Sequence, residues 1–294
     1  MYLIIGASGF IGSHLYEACK RRKIDVCGTC YRHFKNPEWH SFNIMEDDLK
    51  EFCQKNLDLD TIRAVIICGA NSSIDNCVKN EDISTRLNVT GTKRILSQAD
   101  SMGIKSVFLS SEAVFDGTKG MYSEEDRPAP VHLYGRQKLQ IEEYMMQEID
   151  NYLILRLSRV VGSRFGEKDI FDDFYRKIVN QEEILCLKDQ SFCLTEVNDV
   201  SQGILISLEK NIHGLYHLSS DNYISRFKLA ELYARKVFGG YEKIAEKEYD
   251  FFHFLDQRQV HGGLKGDKLA DLIGLKFNNL TEIIDRYTQS RNTG

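Results

Sequence analysis

The chain has 294 residues, 42% of them hydrophobic and 28% charged, with a formal net charge of −5. This is ordinary for a globular protein with a real core. The charge gives no footing for nucleic-acid binding, and no apolar run approaches the ~20 residues that cross a membrane. Eight cysteines are scattered without a disulfide or zinc framework; Cys27-Gly28-Thr29-Cys30 has C-x-x-C spacing but no second pair. They read as reduced thiols of a cytoplasmic protein, with no metal site expected. A strand that begins at residue 2 leaves no room for a signal peptide.

Tyr2 to Ile5 is a short apolar run suited to a buried parallel strand. It enters Gly6-Ala7-Ser8-Gly9-Phe10-Ile11-Gly12, after which Ile11, Leu15, Ala18 and Cys19 recur at helical spacing. Strand, glycine turn and helix make the context in which a dinucleotide pyrophosphate sits at a helix N-terminus. The spacing is G-x-x-G-x-x-G, not the commoner G-x-G-x-x-G. The helix should end near Arg21 to Lys23, and Ile24 to Thr29 reads as a second strand. An acid at the end of that strand would bind ribose hydroxyls. Here Cys30-Tyr31-Arg32-His33 offers no acid and one arginine, which favours NADP and leaves NAD possible.

Trp39 to Ile44 reads as a third extended stretch, followed by an acidic helix from Glu46 to Lys55 whose first residues suit the helix dipole. Ala64 to Cys68 is the next buried strand. It ends in Gly69-Ala70-Asn71, small residues that let a ligand pass close to the backbone. A long helix is expected from Ile83 to Met102 and a fifth strand from Val107 to Ser110. Strands alternating with helices at this interval imply a parallel, doubly wound sheet.

After Ser111, the polar stretch Asp116 to Pro130 reads as a loop over a site. Tyr134 opens a helix to about Ile149, and Tyr152 to Leu157 is a sixth strand. Tyr134 and Lys138 share one helical face. A cation beside a phenol stabilises the phenolate, so the tyrosine pKa should fall towards neutrality. A hydroxyl from Ser110-Ser111 can hydrogen-bond the oxygen that the tyrosine protonates. Further on, Phe171 to Val179 is helical, Ile184 to Leu187 and Gly214 to Leu218 are strands, and Ser225 caps a helix through Val237.

The fold class is therefore α/β: a Rossmann-like doubly wound parallel sheet with a smaller C-terminal substrate-binding lobe. Residues 1–157 form the dinucleotide-binding domain, with 196–220 returning to it; 158–195 and 221–294 form the lobe. A cleft between the two is the default place for substrate. His217 reads as a core histidine, and Tyr249, Phe251, Phe252 and Phe254 as lobe core. Asn88 is open between a functional contact and a solvated side chain. Arg159, Arg164, Arg226 and Arg258 read as surface cations, with diphosphate binding as the alternative.

Gly6-x-x-Gly9-x-x-Gly12, Asn88 with Gly91-Thr92, the strand ending in Ser110-Ser111, and Tyr134-x-x-x-Lys138 carry a resemblance over nearly the whole chain. The chain resembles the extended short-chain dehydrogenase/reductase family, which acts on nucleotide sugars, and within it the dTDP-4-dehydrorhamnose reductases. Ser110-Ser111-Glu112-Ala113-Val114-Phe115-Asp116-Gly117 is similar to their Ser-Thr-Asp-Tyr-Val-Phe-x-Gly. Asp189-Gln190 with Thr195 and Asp199 matches a second motif, in which Phe192 and Leu194 replace glycine and proline. Val161-Gly162-Ser163 stands where Tyr-Gly-Pro is usual. These departures lie in the substrate half.

The resemblance implies catalytic Ser111, Tyr134 and Lys138. It implies a cofactor turn of Gly6, Ser8, Gly9, Phe10, Ile11 and Gly12, with Arg32 at the 2′-phosphate and Asn43 and Ile44 beside the adenine. Cys68, Gly69, Ala70, Asn88 and Ser110 would complete the cofactor site, with Tyr134 and Lys138 at the nicotinamide ribose. The implied reaction is hydride transfer from NADPH to a nucleotide-linked 4-keto-deoxy sugar, with Tyr134 as acid. The family also holds epimerases with tightly bound NAD and non-catalytic cofactor-binding regulatory subunits. A homodimer is one expected assembly.

Overall fold

The computed structural model describes residues 1–32 and 36–292; His33, part of the second-strand reading, lies outside the described residues. The strands in chain order are β1 (Tyr2–Ile5), β2 (Val26–Cys30), β3 (His40–Ser41), β4 (Ala64–Ile67), β5 (Lys105–Ser111) and β6 (Tyr152–Leu157). β7 (Arg159–Val161), β8 (Ile184–Leu187) and β9 (Ser191–Glu196) leave the sheet. β10 (Gly214–Leu218) rejoins it beside β6, and β11 (Tyr223–Ser225) and β12 (Ile244–Lys247) lie outside. The central order is β3-β2-β1-β4-β5-β6-β10, and every neighbouring pair is parallel. The order reverses between β1 and β4, which opens a crevice at their C-terminal ends.

The helices are α1 (Phe10–Arg21), α2 (Leu49–Asn56), α3 (Ile74–Lys79), α4 (Glu81–Thr85), α5 (Thr92–Ser101) and α6 (Leu133–Glu148), then α7 (Ile170–Val179), α8 (Val197–Glu209), α9 (Arg226–Phe238), α10 (Asp267–Ile273) and α11 (Leu280–Asn292). Alternation along β1 explains why the sheet needs helices on both faces. Tyr2 and Ile4 join the core under α1, α8 and α10, whereas Leu3 and Ile5 join the core under α2, α5 and α6. Each fully buried aliphatic side chain stabilises by about 1.5–3 kcal/mol. A third core, built on Phe171, Phe174, Tyr233 and Tyr287, joins α7, α9 and α11 to the β7-β9-β11 sheet and the β8-β12 pair. Among the described residues no helix is long and apolar enough to cross a membrane.

Several boundaries differ from expectation for local reasons. The third extended stretch pairs only over His40–Ser41, because Asn43 turns the chain: its carbonyl accepts from Glu46 N–H at 3.0 Å and its Oδ1 from Met45 N–H at 3.1 Å. α2 starts at Leu49, where Asp48 Oδ1 accepts from Glu51 N–H at 2.9 Å. The helix expected over Ile83 to Met102 begins earlier, at a Ser73 cap, and breaks at the non-helical Asn80. It then passes through a π-helical turn, Arg86–Gly91, before α5. The strands β7, β9, β11 and β12 and the helices α8, α10 and α11 had no reading in the sequence. α8 hides because Ser201, Gly203 and Ser207 interrupt its buried face. At Gly203 a Cβ would fall 2.4 Å from Leu218 Cδ1, so the Leu218 side chain of β10 packs directly on the helix backbone.

Candidate active site

Two contiguous clefts run along the C-terminal edge of the sheet. One, about 380 Å³, is lined by Gly6, Ser8, Arg32, Asn43, Ile44 and Gly69. The other, about 440 Å³, is lined by Phe10, Ile11, Ser110, Ser111, Tyr134 and Lys138 among others. Gly9, Cys68 and Ala70 belong to both walls, so the glycine turn sits at their junction. Gly6 has φ +87°, and a Cβ on it would stand 2.6 Å from the Gly69 nitrogen. Only glycine permits that turn and leaves the space above it open. Gly12 lines neither cleft. Its added Cβ would meet the Gly6 carbonyl oxygen at 2.3 Å, so its smallness serves the packing of α1 onto the turn. The exposed Arg32 guanidinium lies 4.9 Å from the ring centroid of Tyr31.

β5 delivers Ser110 and Ser111 to the cleft, and α6 delivers Tyr134 and Lys138. The start of α6 is fixed by His132, whose Nδ1 accepts from Gly135 N–H at 3.0 Å. Sequence reasoning missed this cap, because histidine is not among the usual capping residues. Ser111 Oγ accepts from Ala113 N–H at 3.2 Å. Lys138 Nζ donates to the Leu109 carbonyl at 2.7 Å and lies 5.7 Å from the Tyr134 ring centroid.

The expected fall in the Tyr134 pKa does not occur. Burial pushes the phenol up, the Cys77 thiol adds to this, and a hydrogen bond with Ser111 opposes it. Lys138 is itself pushed down to about 8 by burial, opposed by Cys68, Glu142 and Cys77. With the ammonium committed to a backbone carbonyl, desolvation of the phenolate outweighs attraction to the cation. The result is a phenol that keeps its proton at neutral pH, which suits an acid.

Two expected cofactor residues act differently from a direct contact. Ser110 lines the cleft, but its hydroxyl donates backwards to the buried Glu142 Oε1 at 2.5 Å. Asn88 is 4% exposed, so it is not solvated, and it lines neither cleft. Its Nδ2 donates to the Asn71 carbonyl at 2.9 Å and its Oδ1 accepts from Asn71 N–H at 2.8 Å, clasping the loop after β4. His217 is a fully buried core histidine, pushed down to about 3 by burial and by Arg156.

Beyond Ser111 the cleft has a further wall, which includes Glu112 and Gln259. Glu112 Oε2 accepts from Gly263 N–H at 2.6 Å, and Gln259 Nε2 donates to the carbonyls of Glu112 and Phe115 at 2.9 and 2.7 Å. Glu112 stands beside Ser111 in the quoted motif but was given no role in the sequence reading; Gln259, far along the chain, carried no local signal. Of the four arginines, Arg164 is paired with Glu17, Arg226 with Asp173 at 3.3 Å and Arg258 with Asp75 at 2.6 Å. Arg159 makes no ion pair among the described residues; it lines the cleft with its guanidinium 4.6 Å from the Phe192 ring centroid. The aromatic cluster is not lobe core. Tyr249 and Phe251 are 36% and 50% exposed, and Phe252 stacks on Phe254 at 5.4 Å. The cluster belongs to a surface flap fastened by Asp256 Oδ2, which accepts from Leu133 N–H at 2.8 Å, and by Arg258.

A probable low-salt glycan biosynthesis reductase of Haloferax volcanii is 28% identical over 249 residues, 82% of this chain and 81% of its own. Methionine adenosyltransferase 2 subunit beta of Xenopus laevis is 28% identical over 241 residues, 78% of this chain and 69% of its own. The dTDP-4-dehydrorhamnose reductase of Sinorhizobium fredii is 27% identical over 237 residues, 74% of this chain and 77% of its own. The solved dTDP-4-dehydrorhamnose reductase of Bacillus anthracis, in complex with NADP, superposes with a TM-score of 0.83 at 22% identity, covering 97% of each chain. The family model described as RmlD substrate binding domain matches residues 1–290. The chain therefore belongs to the RmlD substrate binding domain family and has an extended short-chain dehydrogenase/reductase fold.

Proposed function

We propose that this protein is an NADPH-dependent reductase of a nucleotide-linked 4-keto-deoxy sugar, with Tyr134 as the acid. The observation that carries this reading is the meeting of Ser111, Tyr134 and Lys138 on the wall of a cleft that continues into the glycine turn. The residues present fit a nicotinamide dinucleotide. The side-chain-free approach of Gly6 to Gly69 leaves room for a pyrophosphate over the N-terminus of α1, and Arg32 stands in the adjoining cleft where a 2′-phosphate would need a cation. Relatives named as reductases support the same assignment.

When bound, NADPH supplies the hydride for the ketone carbon. Tyr134 holds its proton at Oη and delivers it to the substrate oxygen as negative charge grows there. Ser111 Oγ hydrogen-bonds the same oxygen, and Lys138 anchors the ribose. General acid catalysis of this kind gives about 10²- to 10⁴-fold; positioning supplies much of the rest. Arg159, the cation of the wall with no salt bridge within 4 Å among the described residues, meets the substrate diphosphate. Residues 1–157 and 196–220 serve as the cofactor half, and 158–195 and 221–294 as the substrate half. Eight free thiols support a reducing, cytoplasmic setting.

The likeness to methionine adenosyltransferase 2 subunit beta favours a second reading, a cofactor-binding subunit without turnover. A panel of nucleotide-linked 4-keto sugars, followed by loss of the NADPH absorbance, separates the two. Stoichiometric oxidation with one member supports the reductase. NADPH binding with no oxidation across the panel favours the subunit.

A further inference from the structure

Behind the cleft lies a buried polar cluster that the chemistry above does not use. Glu142 is fully buried and stands one helical turn beyond Lys138 on α6. Its Oε1 accepts from Ser110 Oγ at 2.5 Å and from Arg156 Nε at 2.9 Å, and its Oε2 accepts from an Arg156 terminal nitrogen at 2.6 Å. Ser110 and Arg156 are register partners on β5 and β6, and Leu109, whose carbonyl takes Lys138, precedes Ser110. Arg156 also lies 5.0 Å from the Phe115 ring centroid and 3.4 Å from His217 Nε2. One network thus runs from the cofactor lysine through the sheet to β10.

We propose that the Glu142–Arg156 couple is a positioning element that sets the charge state of Lys138 from behind the cleft. This rests on Lys138 being the ribose anchor of the reductase reading.

The groups facing Lys138 are few. Tyr134 and Glu142 share its helix, Cys68 follows β4, Cys77 comes from α3, and β5 presents Phe108 and the Leu109 carbonyl. Burial pushes the Cys68 thiol up to about 12 and also raises that of Cys77, so both thiols stay neutral, as does the raised phenol of Tyr134. Among these groups Glu142 alone brings negative charge to Lys138. Arg156 holds that carboxylate in place through two hydrogen bonds and, as a cation, offsets part of its field. A full carboxylate charge about 6 Å away, at an effective dielectric near 20, shifts a lysine pKa by about two units. The Glu142 carboxylate therefore works against burial to keep Lys138 an ammonium, and Arg156 sets how much of that charge Lys138 feels.

The test follows the ¹³Cε shift of Lys138 against pH in lysine-labelled protein without cofactor, the signal assigned by its loss in Lys138→Met. The parent midpoint should fall near 8. Glu142→Gln keeps the acceptor and removes the charge, so the midpoint should drop by about one to two units. Arg156→Met keeps an apolar stem over Phe115 and frees the carboxylate, so the midpoint should rise. Opposite shifts support the proposal; unmoved midpoints or shifts of one sign overturn it. If a charge variant does not fold, Ser110→Ala replaces it. Loss of one donor to Glu142 should raise the midpoint by a fraction of a unit, and an unmoved midpoint overturns the proposal. NADPH affinity, measured in parallel, separates the two claims. Opposite midpoint shifts in a protein that binds no NADPH would sustain the couple's role and sink the reductase reading.

Discussion

Asn88 Nδ2 donates to Gln137 Oε1 at 2.8 Å, and this bond ties the π-helical turn to the helix that carries Tyr134 and Lys138. Gln137 in turn donates to Ser84 Oγ at 3.0 Å and Thr85 Oγ1 at 3.2 Å. The Asn71 backbone closes the other side of the clasp. A π-turn at this point brings the Asn88 side chain into the seam between α4, α6 and the loop after β4.

Asn88→Leu keeps the bulk and removes every one of these partners. It should cost roughly 2–4 kcal/mol of stability, read from the urea midpoint, because buried donors and acceptors are left unpaired. NADPH affinity should fall as well, since the released loop carries Gly69 and Ala70. Unchanged stability and affinity would mean that the clasp is redundant.

The parallel sheet and its glycine turn were legible because their signals are local. A four-residue apolar run, three glycines and an i, i+4 pair each sit within one element and its flanks. The same locality explains what was lost. Gln259 reaches the site from a flap more than a hundred residues after Ser111, and nothing around it marks that role. The fate of Asn88 depended on a π-turn that no periodicity announces. The Tyr134 pKa failed for a different reason: helical spacing places a cation near a phenol, but says nothing of the dry wall or of the Leu109 carbonyl that holds the ammonium.

Arg32 bears on cofactor choice. No acid stands at the end of β2 to repel a 2′-phosphate, and the guanidinium lines the adjoining cleft. Arg32→Ala should weaken NADPH binding about tenfold or more while leaving NADH binding nearly unchanged. Titration of both cofactors by fluorescence checks this. Equal loss for the two would show that Arg32 supports the adenosine pocket generally and reads no phosphate.

Removing the phenol oxygen isolates the acid. Tyr134→Phe should fold and bind NADPH as the parent does, yet lose about 10²- to 10⁴-fold in kcat on an authentic 4-keto sugar. Because burial raises the phenol, the parent rate should stay flat through neutral pH with no basic limb from Tyr134 below about 9. Near-parent turnover in the variant would assign the proton to another group.

Arg159 differs from the other three arginines in lining the cleft with no salt bridge within 4 Å among the described residues, although the Glu112 carboxylate acts on it through space. Arg159→Met keeps the stem against Phe192 and removes the charge. The expected result is a KM for the nucleotide sugar raised about tenfold or more, with kcat changed little, as for a contact made equally in ground and transition states. Arg164→Met, at a position already neutralised by Glu17, should change KM by no more than about twofold. The reverse ranking would relocate the diphosphate.

Acid should unfasten the start of α6. Burial holds His132 neutral, with its pKa pushed down to about 4 from an ordinary 6.5, and Nδ1 can cap α6 only while unprotonated. The unfolded chain takes up a proton near pH 6.5 and the folded chain resists until about 4, so the unfolded state binds more protons between the two. The histidine's contribution is therefore fully present above pH 6.5 and is lost as pH falls through about 4. His132→Asn supplies a capping oxygen that does not titrate. Urea midpoints at pH 7 and pH 4.5 should show the parent losing about 2–3 kcal/mol more than the variant over that interval. His217, pushed down to about 3, adds acid sensitivity of the same sign to both proteins and cancels in the comparison. Parallel losses in parent and variant would mean that His132 stays a cap when protonated, or that its ring is not buried as described.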